Sequence, residues 1–112
     1  MVQYPPTVDR AFTALADPTR RAVLERLGSG SATISELAQP FGMSLTGMKK
    51  HIRQLEDAGL VTTEKVGRTR ICRIRPRPLD DLEAWIDDYR RTVNEQLDRF
   101  GELLDRTKGE RR

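Results

Sequence analysis

The chain has 112 residues, of which 37% are hydrophobic and 33% charged, with a formal net charge of +3. That length suits one modest core, and so polar a composition demands either a largely solvated surface or a core completed by a partner. Cys72 is the only cysteine, so no intrachain disulfide forms. With no apolar run near the roughly 18 residues of a membrane span and no charged-then-apolar leader, the expectation is a cytoplasmic protein in a reducing compartment.

Residues Met1 to Pro6 read as a loose arm, followed by a short helix from Asp9 to Ala16 with Phe12 and Leu15 on its apolar side. Asp17-Pro18 opens a second helix, an N-cap oxygen followed by proline at the first helical position. It runs to about Leu27, burying Ala22, Val23 and Leu27, and Gly28 stops it. After a loop from Ser29 to Ala32, Thr33-Ile34-Ser35-Glu36 has the spacing of a capping box and starts a short helix that Pro40 and Gly42 end. Ser44 caps a fourth helix, Leu45 to about Ala58, terminated by Gly59. Leu60 to Glu64 and Arg70 to Arg75 are β-rich with Gly67 between them, which predicts a hairpin. Pro76 and Pro78 break the second strand, and a long helix follows from Leu79 to about Asp105.

The predicted fold is therefore mainly α with a small β-hairpin, in the order α-α-α-α-β-β-α. A short capped helix, a tight turn and a second helix make a helix-turn-helix, and the hairpin behind it makes a wing. Residues 1–112 form one such domain, to which the last helix is appended.

Charge is segregated along the chain. Phe41 to Arg75 carries eight basic and three acidic residues, net +5, whereas Leu79 to Asp105 carries nine acidic and three basic, net −6. A basic middle and an acidic end suit a protein that shows one face to a polyanion. On the fourth helix, Leu45, Met48, Ile52 and Leu55 fall within about 80° of one another at helical spacing, a stripe expected to be buried. Thr46, Lys49, Lys50 and Arg53 lie opposite, and such donors match the phosphates and base edges of a major groove. Lys65, Arg68 and Arg70 cluster at the hairpin tip, where a wing meets backbone or minor groove. The plainer alternatives are a solvated helix face and a solubilising hairpin, or a winged-helix module that binds a protein instead of DNA. Two neighbouring basic elements weigh against them, because a protein-docking face would carry apolar residues.

The last helix has its own pattern. Leu82, Trp85, Ile86, Tyr89, Val93, Leu97, Phe100, Leu103 and Leu104 share an arc of about 120°. At about 1.5 Å per residue the helix is about 40 Å long, more than a body of the remaining residues covers. Either it is buried wholly within its own subunit, or a two-fold partner covers the stripe with Phe12 and Leu15 joining the interface.

Two runs carry a family resemblance. They are Leu15-Ala16-Asp17-Pro18-Thr19-Arg20-Arg21 through Leu24 with Ile34-Ser35-Glu36-Leu37-Ala38, and Phe41-Gly42-Met43-Ser44 with Lys50-His51-Ile52, Leu55 and Ala58-Gly59-Leu60-Val61. Over roughly Phe12 to Pro78 the chain resembles the arsenic-repressor (ArsR/SmtB-type) family of bacterial regulators. The resemblance implies a homodimeric winged-helix repressor on a palindromic operator, with Ser44, Thr46, Lys49, Lys50 and His51 at or near DNA. Lys49 stands where serine is more usual. The full set expected at DNA is Ser44, Thr46, Gly47, Lys49, Lys50, His51 and Arg53 on the helix, with Lys65, Arg68, Thr69 and Arg70 on the wing. Metal-responsive members carry cysteines in the helix matching Ile34 to Gln39, or paired His and Asp/Glu in the last helix. Neither pattern is present, which implies the non-metal branch.

No enzyme, metal site or cofactor is expected. His51 is the only histidine, and Ser44 lies two helical turns away, roughly 10 Å by rise alone, out of hydrogen-bond reach. His51 falls on the shoulder of the fourth helix as a packed or phosphate-touching residue. His51 and Cys72 are short of the four ligands of a structural zinc site. Cys72 is expected as a half-buried strand residue, with a redox thiol as the alternative. Asp80, Asp81, Asp87 and Asp88 spread round the outer face of a helix and read as solvated surface.

Overall fold

The computed structural model describes residues 4–110. The chain divides into a unit ending at Leu82 and a second unit starting at Glu83. In chain order the elements are α1 (Thr7–Leu15), α2 (Pro18–Leu27), β1 (Ala32–Thr33), α3 (Ile34–Ala38), a 3-10 turn (Gln39–Phe41), α4 (Leu45–Asp57), β2 (Val61–Val66), β3 (Thr69–Ile74) and α5 (Arg77–Glu110). The expected order of helices and hairpin holds.

Local chemistry accounts for the helix boundaries. The Asp17 carboxylate accepts from the Arg20 N–H at 3.0 Å, with Pro18 in the first turn of α2. Thr33 and Glu36 form the reciprocal capping box of α3, and the Ser44 hydroxyl accepts from the Gly47 N–H at 3.1 Å to cap α4. At the other end of α4, the Leu60 N–H donates to the Leu55 carbonyl at 2.9 Å and the Gly59 N–H to Glu56 at 2.8 Å. This is a Schellman closure, and it requires Gly59 in the left-handed region, at φ +74°. Leu55 and Leu60, which flank it, are both fully buried.

The sheet is antiparallel, in the order β1-β3-β2. β1 falls partly within the stretch expected as loop. It pairs Ala32 with Cys72 and Thr33 with Ile71, and two residues are too few to show a strand period. Val66 faces Thr69 across a two-residue turn whose first residue, Gly67, has φ +62°, the position where a type II′ hairpin favours glycine.

The core of the first unit gathers residues from every element. α1 starts two residues earlier than expected and buries Val8, Ala11 and Ala14. Phe12 is 39% exposed and Leu15 only half-buried, so the apolar side of this helix is the small-residue side, which allows close approach to α2 and α4. In α2, Leu24 is buried and Ala22 half-buried. Residues 1–3 of the expected arm lie outside the described residues, and Tyr4 packs against the core. α5 begins at Arg77, because Pro78 is tolerated in a first helical turn, and continues past the expected end to Glu110. Leu82, expected at the partner interface, is 5% exposed and belongs to the core of the first unit.

In the second unit, α5 leaves Ile86, Tyr89, Leu97, Phe100, Leu103 and Leu104 exposed, and the Trp85 and Tyr89 rings stack with centroids 5.4 Å apart. No helix among the described residues is long and apolar enough to cross a membrane.

Candidate nucleic-acid interface

α3, the tight turn and α4 form the helix-turn-helix, and β2 and β3 project beside it as the wing. The turn closes with the Gly42 N–H donating to Gln39 at 3.1 Å and the Met43 N–H to Ala38 at 3.2 Å, so α4 leaves α3 at once. Met48, Ile52 and Leu55 anchor α4 in the core, which leaves Thr46, Lys49, Lys50 and Arg53 exposed on the other side. Ser44 is exposed while its oxygen caps the helix. Gly47 is half-buried. A Cβ there would lie 3.2 Å from Met43 Cγ and 3.3 Å from Ser44 Oγ, so the turn packs against the space a side chain would fill.

The hairpin register decides which wing residues share a face. Lys65 pairs with Arg70, Thr63 with Cys72 and Val61 with Ile74, so one face is apolar at the root of the wing and basic towards the tip. A cleft of about 400 Å³ is lined on the α4 side by Leu45 and Lys49, on the wing by Lys65, Arg68, Thr69 and Arg70, and on α3 by Ser35. A second cleft of about 340 Å³ brings Arg53 and Glu56 together with Lys49 and Arg70. The fold thus collects Lys49, Arg53, Lys65, Arg68, Thr69 and Arg70 around two clefts that share Lys49 and Arg70. Thr46 lines neither, and Lys50 lies in a separate cleft beside α1 with Asp9 and Arg10.

Two features escaped the sequence. Leu45, expected in the buried stripe, is 48% exposed and lines the first cleft. Glu56 ties the wing down: Arg70 Nη1 donates to Thr63 Oγ1 at 2.8 Å, and Thr63 Oγ1 donates to Glu56 Oε2 at 3.1 Å. Neither Thr63 nor its link to Glu56, seven residues away, has a local signature. His51 is part-buried with Nδ1 3.8 Å from Asp17 Oδ2, so the shoulder histidine of α4 packs towards the N-cap of α2. The Arg20 N–H holds the Asp17 carboxyl below its usual range, with smaller help from the Arg20 and His51 charges.

Cys72 is fully buried in β3. Burial pushes its thiol up to about 11, the Glu56 carboxylate adding and Arg70 opposing. A covered, neutral thiol lacks the thiolate character of a redox sensor. The raised value favours the neutral thiol in the folded state. Its contribution to stability is whole below the ordinary value of 9.0 and is lost as pH climbs through 11. Thermal melting against pH is expected to show this alkaline loss in the native chain and a shallower one in Cys72→Ala. Identical slopes would assign the loss to other groups. Among the described residues no cluster of three or more His, Cys, Asp or Glu is arranged to hold a metal ion.

Residues 15–64, which span α2 to most of β2, match the helix-turn-helix domain family. The crystal structure of the ArsR family transcriptional regulator RHA00566 superposes with a TM-score of 0.78 at 50% identity, over 84% of this chain and 97% of that one. The chain belongs to the ArsR family of transcriptional regulators. The HTH-type transcriptional regulator Rv2034 of Mycobacterium tuberculosis is 37% identical to this ArsR-family chain over 81 residues, 72% of this chain and 76% of its own length. A homodimeric winged helix-turn-helix DNA-binding domain from Mycobacterium bovis superposes with a TM-score of 0.59 at 26% identity, over 81% of this chain and 82% of that one. The ArsR fold here is a winged helix-turn-helix, mostly helical with a three-stranded antiparallel sheet.

Proposed function

We propose that this ArsR-family chain is a cytoplasmic, non-enzymatic repressor that acts as a homodimer by occupying an inverted repeat in double-stranded DNA. The observation that carries the reading is the gathering of Lys49, Arg53, Lys65, Arg68 and Arg70 around two adjoining clefts. Lys65 and Arg70 stand directly opposite each other in the hairpin, and like charges so placed repel. A phosphate between them relieves that repulsion. In this reading α4 enters the major groove with Ser44, Thr46, Gly47, Lys49, Lys50, His51 and Arg53 at or near it. The wing then lays Lys65, Arg68, Thr69 and Arg70 along the backbone.

The dimer rests on α5. Leu97, Phe100, Leu103 and Leu104 are apolar and exposed along one side of the second unit, and Val93 is half-buried beside them. Apolar surface of that extent favours a partner. Trp85, Ile86 and Tyr89 continue the stripe, and Phe12 and Leu15 of α1 belong to the same proposed interface. The Mycobacterium bovis domain is homodimeric, which supports a dimer here.

The test is binding of the purified full chain to duplexes enriched from a randomised pool, measured at several salt concentrations. Binding is expected to fall steeply with salt, because each neutralised phosphate releases counterions. Arg68→Ala is expected to weaken all duplexes alike and to flatten the log K against log salt slope by about 1. Enrichment of no duplex, or salt-insensitive binding, would overturn the reading. An unchanged slope in Arg68→Ala would take the wing tip off the backbone.

A further inference from the structure

Leu45 departs from the rest of the apolar stripe of α4. Met48, Ile52 and Leu55 are fully buried, yet Leu45, which shares their angular sector, is 48% exposed. Met43, just before the N-cap, packs against the core, and Met48 in the first turn of α4 is fully buried. Leu45 is the first residue of α4, and its side chain lines the cleft whose other walls include Lys49, Lys65 and Arg68. An isobutyl group thus stands among three cations at the end of the helix that a helix-turn-helix directs towards base edges.

Cations and an apolar group at one site match one feature of duplex DNA. The major groove is walled by phosphates, and the only apolar group on its floor is the C5-methyl of thymine. We propose that Leu45 is a specificity-determining residue that reads a thymine methyl, giving this regulator a preference for a T·A pair at one position of each half-site. The proposal rests on the reading of α4 as the groove-facing helix and adds the base class that helix selects.

Replacing thymine by deoxyuridine removes that methyl and leaves every hydrogen-bonding group of the pair in place. The experiment takes the duplex that the full chain enriches most strongly and substitutes each thymine in turn, against native protein, Leu45→Ala and Leu45→Met. Leu45 is exposed and alanine favours helix, so the variant is expected to fold, which circular dichroism checks. At one thymine per half-site, removal of the methyl is expected to weaken native binding by about threefold to tenfold, in line with burial of one methyl-sized group. Leu45→Ala is expected to be insensitive at that position, and Leu45→Met to retain most of the sensitivity. If no thymine is sensitive, or if the same thymine is equally sensitive in Leu45→Ala, the proposal is overturned while DNA binding stands. If no duplex is enriched at all, the groove-facing role of α4 fails, and the proposal with it.

Discussion

Leu97→Asp is expected to yield a monomer that has lost roughly 10²–10⁴ of its affinity for an inverted-repeat duplex. Leu97 is 60% exposed in the single chain and lies near the middle of the apolar stripe of α5, which is 34 residues and about 51 Å long. At a solvated position the substitution costs the fold little, since Leu97 makes no part of the core of the first unit. At a dimer interface it buries a carboxylate without a partner, at a cost of several kcal/mol, or forces the subunits apart. One recognition helix reads only a few base pairs, too few to find a site among roughly 10⁶ or more competitors. Two heads on a two-fold axis read half-sites about 10 bp apart. Loss of the second head therefore removes most of the binding although Lys49 and Arg53 are intact. Sedimentation, circular dichroism and duplex binding on the same preparation check this. A dimeric Leu97→Asp chain with native affinity would place the interface elsewhere.

Lys49→Ala and Arg53→Ala are each expected to weaken binding to the enriched duplex by ~1–3 kcal/mol, about fivefold to 150-fold. Both side chains are exposed on the outer face of α4 and alanine is a strong helix former, so melting temperatures are expected to change little. Their signature differs from that of the wing: these variants are expected to lose discrimination between the enriched duplex and a random one, whereas Arg68→Ala leaves it unchanged. Lys49 and Arg53 line the same cleft, so the double variant is expected to depart from additivity, which a double-mutant cycle measures. Unchanged affinity and discrimination in both single variants would remove α4 from the groove.

Arg70 answers differently from its neighbours. It donates to Thr63, and Thr63 to Glu56, so its side chain, rooted near the tip of the hairpin, is tied back towards α4. Reading the hairpin as a uniform basic tip treats Lys65, Arg68 and Arg70 as equivalent. The register makes Arg68 the turn residue and Arg70 the tethered one. Sequence spacing carried no sign of this, because Glu56 and Thr63 lie on different elements joined by the Gly59 turn.

What the sequence by itself determined is what a few adjacent residues settle. Asp17-Pro18, the Thr33 to Glu36 box, Ser44, Gly59 and Gly67 each satisfy or redirect the backbone within one turn, so the helix ends and the hairpin were legible from local chemistry alone. The separation of basic middle from acidic end, and the two motif runs of the ArsR family, were likewise open to reading. Periodicity placed Met48, Ile52 and Leu55 inside, and tertiary structure alone decided the exceptions. Periodicity assigns a residue to a face, but depth along that face depends on where the neighbouring elements stop. Leu45 points the same way as Met48 and Ile52 yet stands exposed, while Leu82 at the start of the long stripe is drawn into the core. Ala11 and Ala14 displace Phe12 from the inner side of α1 for the same reason, since close packing between helices selects the side that permits approach. β1 exists only because Ala32 and Thr33 find Cys72 and Ile71 about 40 residues later, a pairing in which two hydrogen-bonding edges meet once the helices have brought them together.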